Sequence, residues 1–297
     1  MPDPVLSLQA MTAAALASAL CVLALVWRRQ AASPARVNVA CILALTAGLL
    51  LGYRVLQLRL PWPPVNGLHR LLLIILPGAI TIELLAGSAR LPQWLSGLLR
   101  ICLAAVTGRI LLHGSVYLNG ANGGWTILQT GVVLLCAALL LTAEWRLLIA
   151  LSQRSCGVSI PLALGISIQA TGMTVMLAGY VTGGAAAFPL AAALIGASLA
   201  TSVVAPRAPL PGLIGSGVVG LFGLLFVGRY FGGLSTGQAL VLFLAPLLCW
   251  ITELPILRGR SPWLIGTLRL VLVAIPLVIT LILARQDFIT KTLPLMN

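Results

Sequence analysis

The chain has 297 residues, of which 60% are hydrophobic and only 8% are charged, and its mean hydropathy is +1.10. Soluble domains carry about 25% charged residues, so this composition excludes a soluble globular protein and places most of the chain in lipid. The formal net charge is +13, but the basic residues are scattered over short loops, which favours contact with anionic lipid headgroups over nucleic-acid binding.

Apolar segments follow one another along the whole chain. A hydrocarbon core of about 30 Å needs about 20 apolar residues per helix, so we predict an all-α polytopic membrane bundle of about ten transmembrane helices. It forms a single integral membrane domain over 1–297, and the segment 147–157 is expected at the membrane interface. The expected spans are 5–27, 37–56, 71–92, 98–118, 125–143, 158–181, 187–204, 213–227, 239–257 and 263–284.

The distribution of basic residues predicts the orientation. With the N-terminus outside, the inner loops hold ten basic residues and the outer side six, which favours non-cytoplasmic N- and C-termini. The basic loop 59–70 argues the other way. Asp3, with no basic residue before the first apolar run, indicates that the N-terminus is not a cleaved signal. Lysine appears only at position 291, a bias typical of GC-rich bacterial genomes, so we expect a bacterial inner membrane.

The sequence carries none of the motifs typical of metal, cofactor or phosphate chemistry. The six cysteines form no CxxC pair, and nearly all lie in apolar runs, where cysteine behaves as a small hydrophobic residue. HExxH, GxSxG, DDxxD and P-loop motifs are absent, and no two of the five acidic residues are close in sequence. We therefore predict no metal and no cofactor, and an enzyme is disfavoured.

Two segments combine a proline with a glutamate inside an apolar run. One contains Pro77 and Glu83, and the other contains Pro246 and Glu253. Proline removes one helical hydrogen bond and frees a carbonyl upstream, so we predict helix breaks at both prolines. Gly-Arg motifs at 52–54, 108–109 and 228–230 are each followed by a span with a late glutamate, which suggests a hairpin repeat over 37–92, 98–146 and 213–258; because the spacings differ, chance is the alternative.

Charged residues inside the spans are the candidates for a functional site. Glu83 lies seven residues before Arg90, about 10 Å from the helix end, and a carboxyl group there must be protonated, paired or facing water. Arg109 lies near the middle of the next expected span and shares a helical face with His113. Because adjacent spans pack together, we predict Arg109 as the partner of Glu83; a structural salt bridge is the competing interpretation.

Other polar residues receive structural interpretations. Glu144 and Arg146 are typical of an interfacial cluster, Arg269 is expected to extend its guanidinium to the interface, and His69 to contact headgroups. Small residues spaced by seven or four positions indicate close helix packing; they are Gly165, Gly172 and Gly179 in the sixth span, and Gly212, Ser216 and Gly220 in the eighth.

Three functions remain open from the sequence. The favoured one is a small transporter or permease for an unidentified solute, with proton coupling through Glu83 and backbone oxygens exposed near Pro77 and Pro246. The alternative is a non-catalytic scaffold or assembly subunit that binds a membrane-protein partner, and the third is a membrane-embedded lipid-modifying enzyme. The expected partners are the bilayer and a small solute or proton, not nucleic acid. The predicted ligand- or ion-binding residues are Glu83, Arg109, His113 and Glu253.

Overall fold

The fold is a bundle of apolar helices. The computed structural model describes residues 3–26, 33–87, 91–119, 124–155, 157–257 and 260–292. Within these ranges, ten helical segments are long and apolar enough to cross a membrane, and no strand is present. The predicted fold class is confirmed, and the protein is a multi-pass membrane protein. The orientation stays a prediction, because several loop arginines on which it depends lie outside the described residues: Arg28, Arg29, Arg90 and Arg258.

Seven of the ten spans are α-helical throughout, and three change helix type: the third and ninth within the span, and the tenth at its end, where it enters the terminal π turn. The third span comprises α3, a π-helical turn and α4, and the ninth comprises α11 and a 3-10 helix. The elements are α1 (Pro4–Val26), α2 (Pro34–Val55), α3 (Gly67–Arg70), the π turn (Leu71–Ile75), α4 (Leu76–Gly87), α5 (Gln93–Leu112), α6 (Val116–Asn119), α7 (Ile127–Arg154), α8 (Ser159–Leu177), α9 (Val181–Val204), α10 (Pro211–Phe231), α11 (Thr236–Leu244), 3-10 helices (Ala245–Glu253 and Pro255–Leu257), α12 (Pro262–Asp287) and a terminal π turn (Phe288–Thr292).

The fifth span differs most from its predicted bounds. Helix α7 has 28 residues and continues to Arg154, so residues 147–154 extend the helix of the fifth span and do not form a separate segment; their expected position at the membrane interface stays a prediction. No proline or glycine interrupts the chain there, and Trp145, Leu148 and Leu151 continue one buried helical face. The helix begins with a capping box, in which Thr126 accepts a hydrogen bond from the backbone N–H of Gln129.

Helix α10 forms the centre of the bundle. Of its most apolar 18-residue stretch, 94% is buried, because other helices surround it. A Cβ atom built at Gly217 would lie 2.4 Å from Leu164 Cδ2, and one at Gly223 would lie 2.1 Å from Leu71 Cδ1. A larger residue at either position would force these leucine side chains to move, so the glycines of α10 permit close packing of its neighbours.

The connecting segments divide the bundle into two ends. We call side A the end at which α2, α5, α8, α10 and α12 begin, and side B the opposite end. On side A, Asn38 of α2 accepts a hydrogen bond of 2.9 Å from the backbone N–H of Gly212. On side B, Gly67 at the start of the third span packs against Phe231 at the end of α10. The two contacts place the ends of α10 relative to the remaining spans.

Candidate functional site

Glu83 lies at the junction of four helices near side A. Its side chain is 1% exposed, and both carboxylate oxygens accept hydrogen bonds of 2.8 Å from Arg100 of α5, from Nε to Oε1 and from Nη2 to Oε2. Trp145 Nε1 of α7 donates to Oε1 at 3.0 Å. Such a two-point arginine–carboxylate contact fixes the geometry of both groups. We call Glu83, Arg100 and Trp145 the first charge cluster.

Gly215 of α10 closes the inner side of the first charge cluster. A Cβ atom at this position would lie 2.3 Å from Glu83 Oε1 and 2.6 Å from Trp145 Nε1. The guanidinium of Arg100 lies 5.9 Å from the ring centroid of Trp145, within the range of a cation–π contact. Arg100 is 18% exposed, so the cluster reaches the bundle surface only through this side chain.

The predicted pairing of Glu83 with Arg109 is wrong, because Arg100 occupies that position. Arg109 lies in the last turn of α5 and is exposed. Helix α5 ends at Leu112, and His113 follows it with a non-helical backbone, so Arg109 and His113 do not share a helical face. The exposed His113 contributes its carbonyl oxygen, which accepts a hydrogen bond from Arg70. The structure therefore separates both residues from Glu83.

A second charge cluster surrounds Arg269 of α12. This side chain is 2% exposed, which shows that the expected extension to the interface is wrong. Its Nη2 donates to Glu253 Oε1 at 2.8 Å and to Ser155 Oγ at 2.8 Å. Nε donates to Thr252 Oγ1 at 2.7 Å, and Nη1 to Ser159 Oγ at 3.0 Å. Four neutral or charged acceptors thus compensate the burial of one guanidinium.

The two charge clusters follow the same plan. In each, a span that changes helix type ends near a glutamate, and an arginine of the next span binds it: Glu83 with Arg100, and Glu253 with Arg269. Pro77 follows the π turn in the third span, and Pro246 is the second residue of the 3-10 helix in the ninth. Both ion pairs lie towards side A, because the third and ninth spans run in the same direction.

Glu144 is a buried acid outside both ion pairs. It is 1% exposed, so its assignment to an interfacial cluster is wrong. Within the described part of the chain, neither of its carboxyl oxygens has a hydrogen-bond partner. Its neighbour in sequence is Trp145 of the first charge cluster, which contacts Gly215; the residue after Gly215, Ser216, also has a buried oxygen with no partner among the described residues. The bundle centre thus contains polar atoms that its own helices leave unsatisfied.

The sequence matches no known protein-family model and no functionally characterised protein. Function is therefore inferred from the geometry of the two charge clusters and Glu144.

Proposed function

We propose that the protein is a transporter of a small solute, and that Glu144 is the group that binds the coupling proton or cation. The supporting observation is the buried carboxyl group of Glu144, whose oxygens have no partner in the described residues. An ionisable side chain without a partner is expensive inside a membrane protein, and such residues usually mark ion pathways and proton relays.

This proposal moves the coupling role from Glu83 to Glu144. Both oxygens of Glu83 are held by Arg100, and one also by Trp145, so exchanging a proton there would break several contacts at once. Among the described residues, Glu144 has no such hydrogen bonds to break. The first charge cluster then has a structural role: it holds α4, α5 and α7 together beside the coupling residue.

The two irregular spans support a moving bundle. Transporters place discontinuous helices around their sites, because the free backbone groups of such helices bind ions and act as hinges. Here the third span contains a π turn and the ninth a 3-10 helix, and each is tied to the following span by one ion pair. Opening of the bundle on side A would require the helices joined by both ion pairs to move.

Reconstitution into liposomes tests the proposal. The purified protein is screened by electrophysiology on a supported membrane against amino acids, sugars, organic acids and inorganic ions, with and without a proton gradient. We expect a solute-dependent current that the gradient increases. Glu144→Gln keeps the side-chain size but removes the acid, and should abolish the effect of the gradient. Asp287→Asn, at the end of α12 on side B, is the matched control and should leave it intact.

Two results contradict this proposal. A gradient-dependent current that persists in Glu144→Gln but disappears in Glu83→Gln returns the coupling role to Glu83. A folded protein that moves none of the solutes favours the second candidate, a non-transporting assembly subunit. The close packing around α10 is the observation that favours this candidate. An assembly subunit is expected to co-purify with a stable membrane-protein partner in native lipid discs.

A further inference from the structure

An apolar groove runs along the outside of the bundle between α7, α10 and α11. Its volume is about 320 Å³, at the lower end of the range of about 300 to 1,000 Å³ that is usual for small-molecule sites. Phe222 and Phe226 of α10 line its inner side, and the ring centroids of Phe243 and Phe222 are 5.6 Å apart. On the outer side, Val132 and Leu140 of α7 are exposed. The groove therefore opens towards the lipid and not towards water.

The groove ends at a positive charge near side B. Arg229 lies two residues before the end of α10, about 10 Å along the helix axis from Phe222 at 1.5 Å per residue. Its Nε donates to Thr236 Oγ1 at 2.8 Å, and its guanidinium lies 5.6 Å from the ring centroid of Tyr230. Within the described residues no carboxylate pairs with Arg229. Among the described residues, its two terminal nitrogens have no hydrogen-bond partner, so they can bind an anion.

Aromatic residues place Arg229 at the level of the lipid headgroups. Tyr117, Trp125 and Tyr230 form a cluster beside it on side B, with ring centroids 4.8 to 5.4 Å apart. Tyrosine and tryptophan prefer this level of the membrane, where an apolar ring and a polar group are both accommodated. A phosphate at Arg229 would thus lie at its normal depth, with a hydrocarbon chain directed along the groove.

We propose that this groove binds one acyl chain of an anionic phospholipid whose phosphate contacts Arg229. The apolar lining and the opening towards lipid select a hydrocarbon chain, and the unpaired guanidinium selects the headgroup by charge. Zwitterionic lipids fit the groove equally well, but their ammonium group offsets the attraction of Arg229 for the phosphate. The site is independent of the proposed transport function, because neither Glu144 nor any residue of either charge cluster lines it.

The test uses the full-length protein in lipid discs that contain equal amounts of phosphatidylglycerol and phosphatidylethanolamine. Native mass spectrometry counts the lipids that remain bound after transfer to detergent. We expect phosphatidylglycerol to be enriched, and Arg229→Gln to reduce this enrichment by about fivefold, the effect of one basic residue at a membrane surface. Arg229→Lys should keep most of it. Arg285→Gln, which removes an exposed arginine near side B, is the matched control and should have no effect.

A second variant tests the groove itself. Ala239→Trp places a large side chain in the groove lining and should remove one bound lipid, whichever headgroup it carries. The proposal is overturned if Arg229→Gln keeps the full enrichment, or if Arg285→Gln lowers it as much. It is also overturned if Ala239→Trp retains the same number of lipids as the wild type.

Discussion

Replacing Gly215 by alanine tests the packing of the first charge cluster. The added methyl group would lie 2.3 Å from Glu83 Oε1 and 2.6 Å from Trp145 Nε1, so neither atom can stay in place. Since both groups must move, we expect the hydrogen bond from Trp145 to Glu83 to be lost. A hydrogen bond to a charged group contributes about 1.5 to 3 kcal/mol, and overpacking adds about 1 to 3 kcal/mol.

Alanine also favours the helix over glycine by about 1 kcal/mol, which offsets part of this loss. The expected net decrease in the free energy of unfolding is about 1.5 to 5 kcal/mol. The measurement is an unfolding titration in sodium dodecyl sulfate, followed by circular dichroism. Gly131→Ala in α7 is the matched control, because a Cβ atom there meets nothing within 4 Å, and it should leave stability unchanged or raise it.

The tryptophan hydrogen bond can be separated from overpacking. In a Trp145→Phe background the hydrogen bond is already absent, so Gly215→Ala should cost less than in the wild type. The reasoning is refuted if Gly215→Ala unfolds like the wild type, or if Gly131→Ala is destabilised to the same degree. An equal cost in both backgrounds would show that Trp145 is not the group displaced.

Two further substitutions address the ion pairs. Arg100→Leu should lower the free energy of unfolding by about 3 to 5 kcal/mol, because it leaves the buried Glu83 without its ion-pair partner. The Glu83→Leu/Arg100→Leu double variant should be more stable than Arg100→Leu in the same detergent titration; strict additivity would contradict a direct ion pair. Arg269→Met should likewise cost about 3 to 5 kcal/mol in a thermal unfolding assay, whereas the exposed Arg285→Met should change stability by less than about 0.5 kcal/mol. Similar melting temperatures for these two variants would argue against the second charge cluster.

The number of spans was predictable from the sequence because each span needs enough apolar residues to cross the lipid. The ends of the helices were less predictable than their number. Helix α5, for example, begins five residues before the expected start of the span and ends six residues before its expected end. Hydropathy reports where the chain is apolar, whereas a helix ends where its backbone hydrogen bonds end. The apolar residues 116–118 lie beyond the end of α5, and they therefore lengthened the predicted fourth span.

The partner of Glu83 depended on helix rotation, which hydropathy does not report. Arg100 and Arg109 are nine residues apart, which is two and a half turns, so they lie on opposite faces of α5. A usable signal was present: Ala104 and Leu111 continue the face of Arg100 and are buried. Pairing by adjacency of spans ignored this pattern, and it selected the exposed arginine.

The burial of Glu144 carried a similar signal. The buried face of α7 includes Ala137, Leu141, Leu148 and Leu151, and Glu144 completes its spacing of three or four residues. The nearby Arg146 suggested an interfacial cluster instead, but it lies on an exposed face of the same helix. Rotation about the helix axis, and not depth along it, separates the two residues.

The order of the ion pairs along the chain has a consequence for synthesis. Each pair joins two consecutive spans, with 17 residues from Glu83 to Arg100 and 16 from Glu253 to Arg269. An isolated acidic residue or arginine within a nascent helix opposes release from the translocon into lipid, by up to about 2.5 to 3.5 kcal/mol when it lies at the helix centre. Because the opposite charge arrives with the next span, we expect each pair of helices to leave the translocon together as a neutralised hairpin.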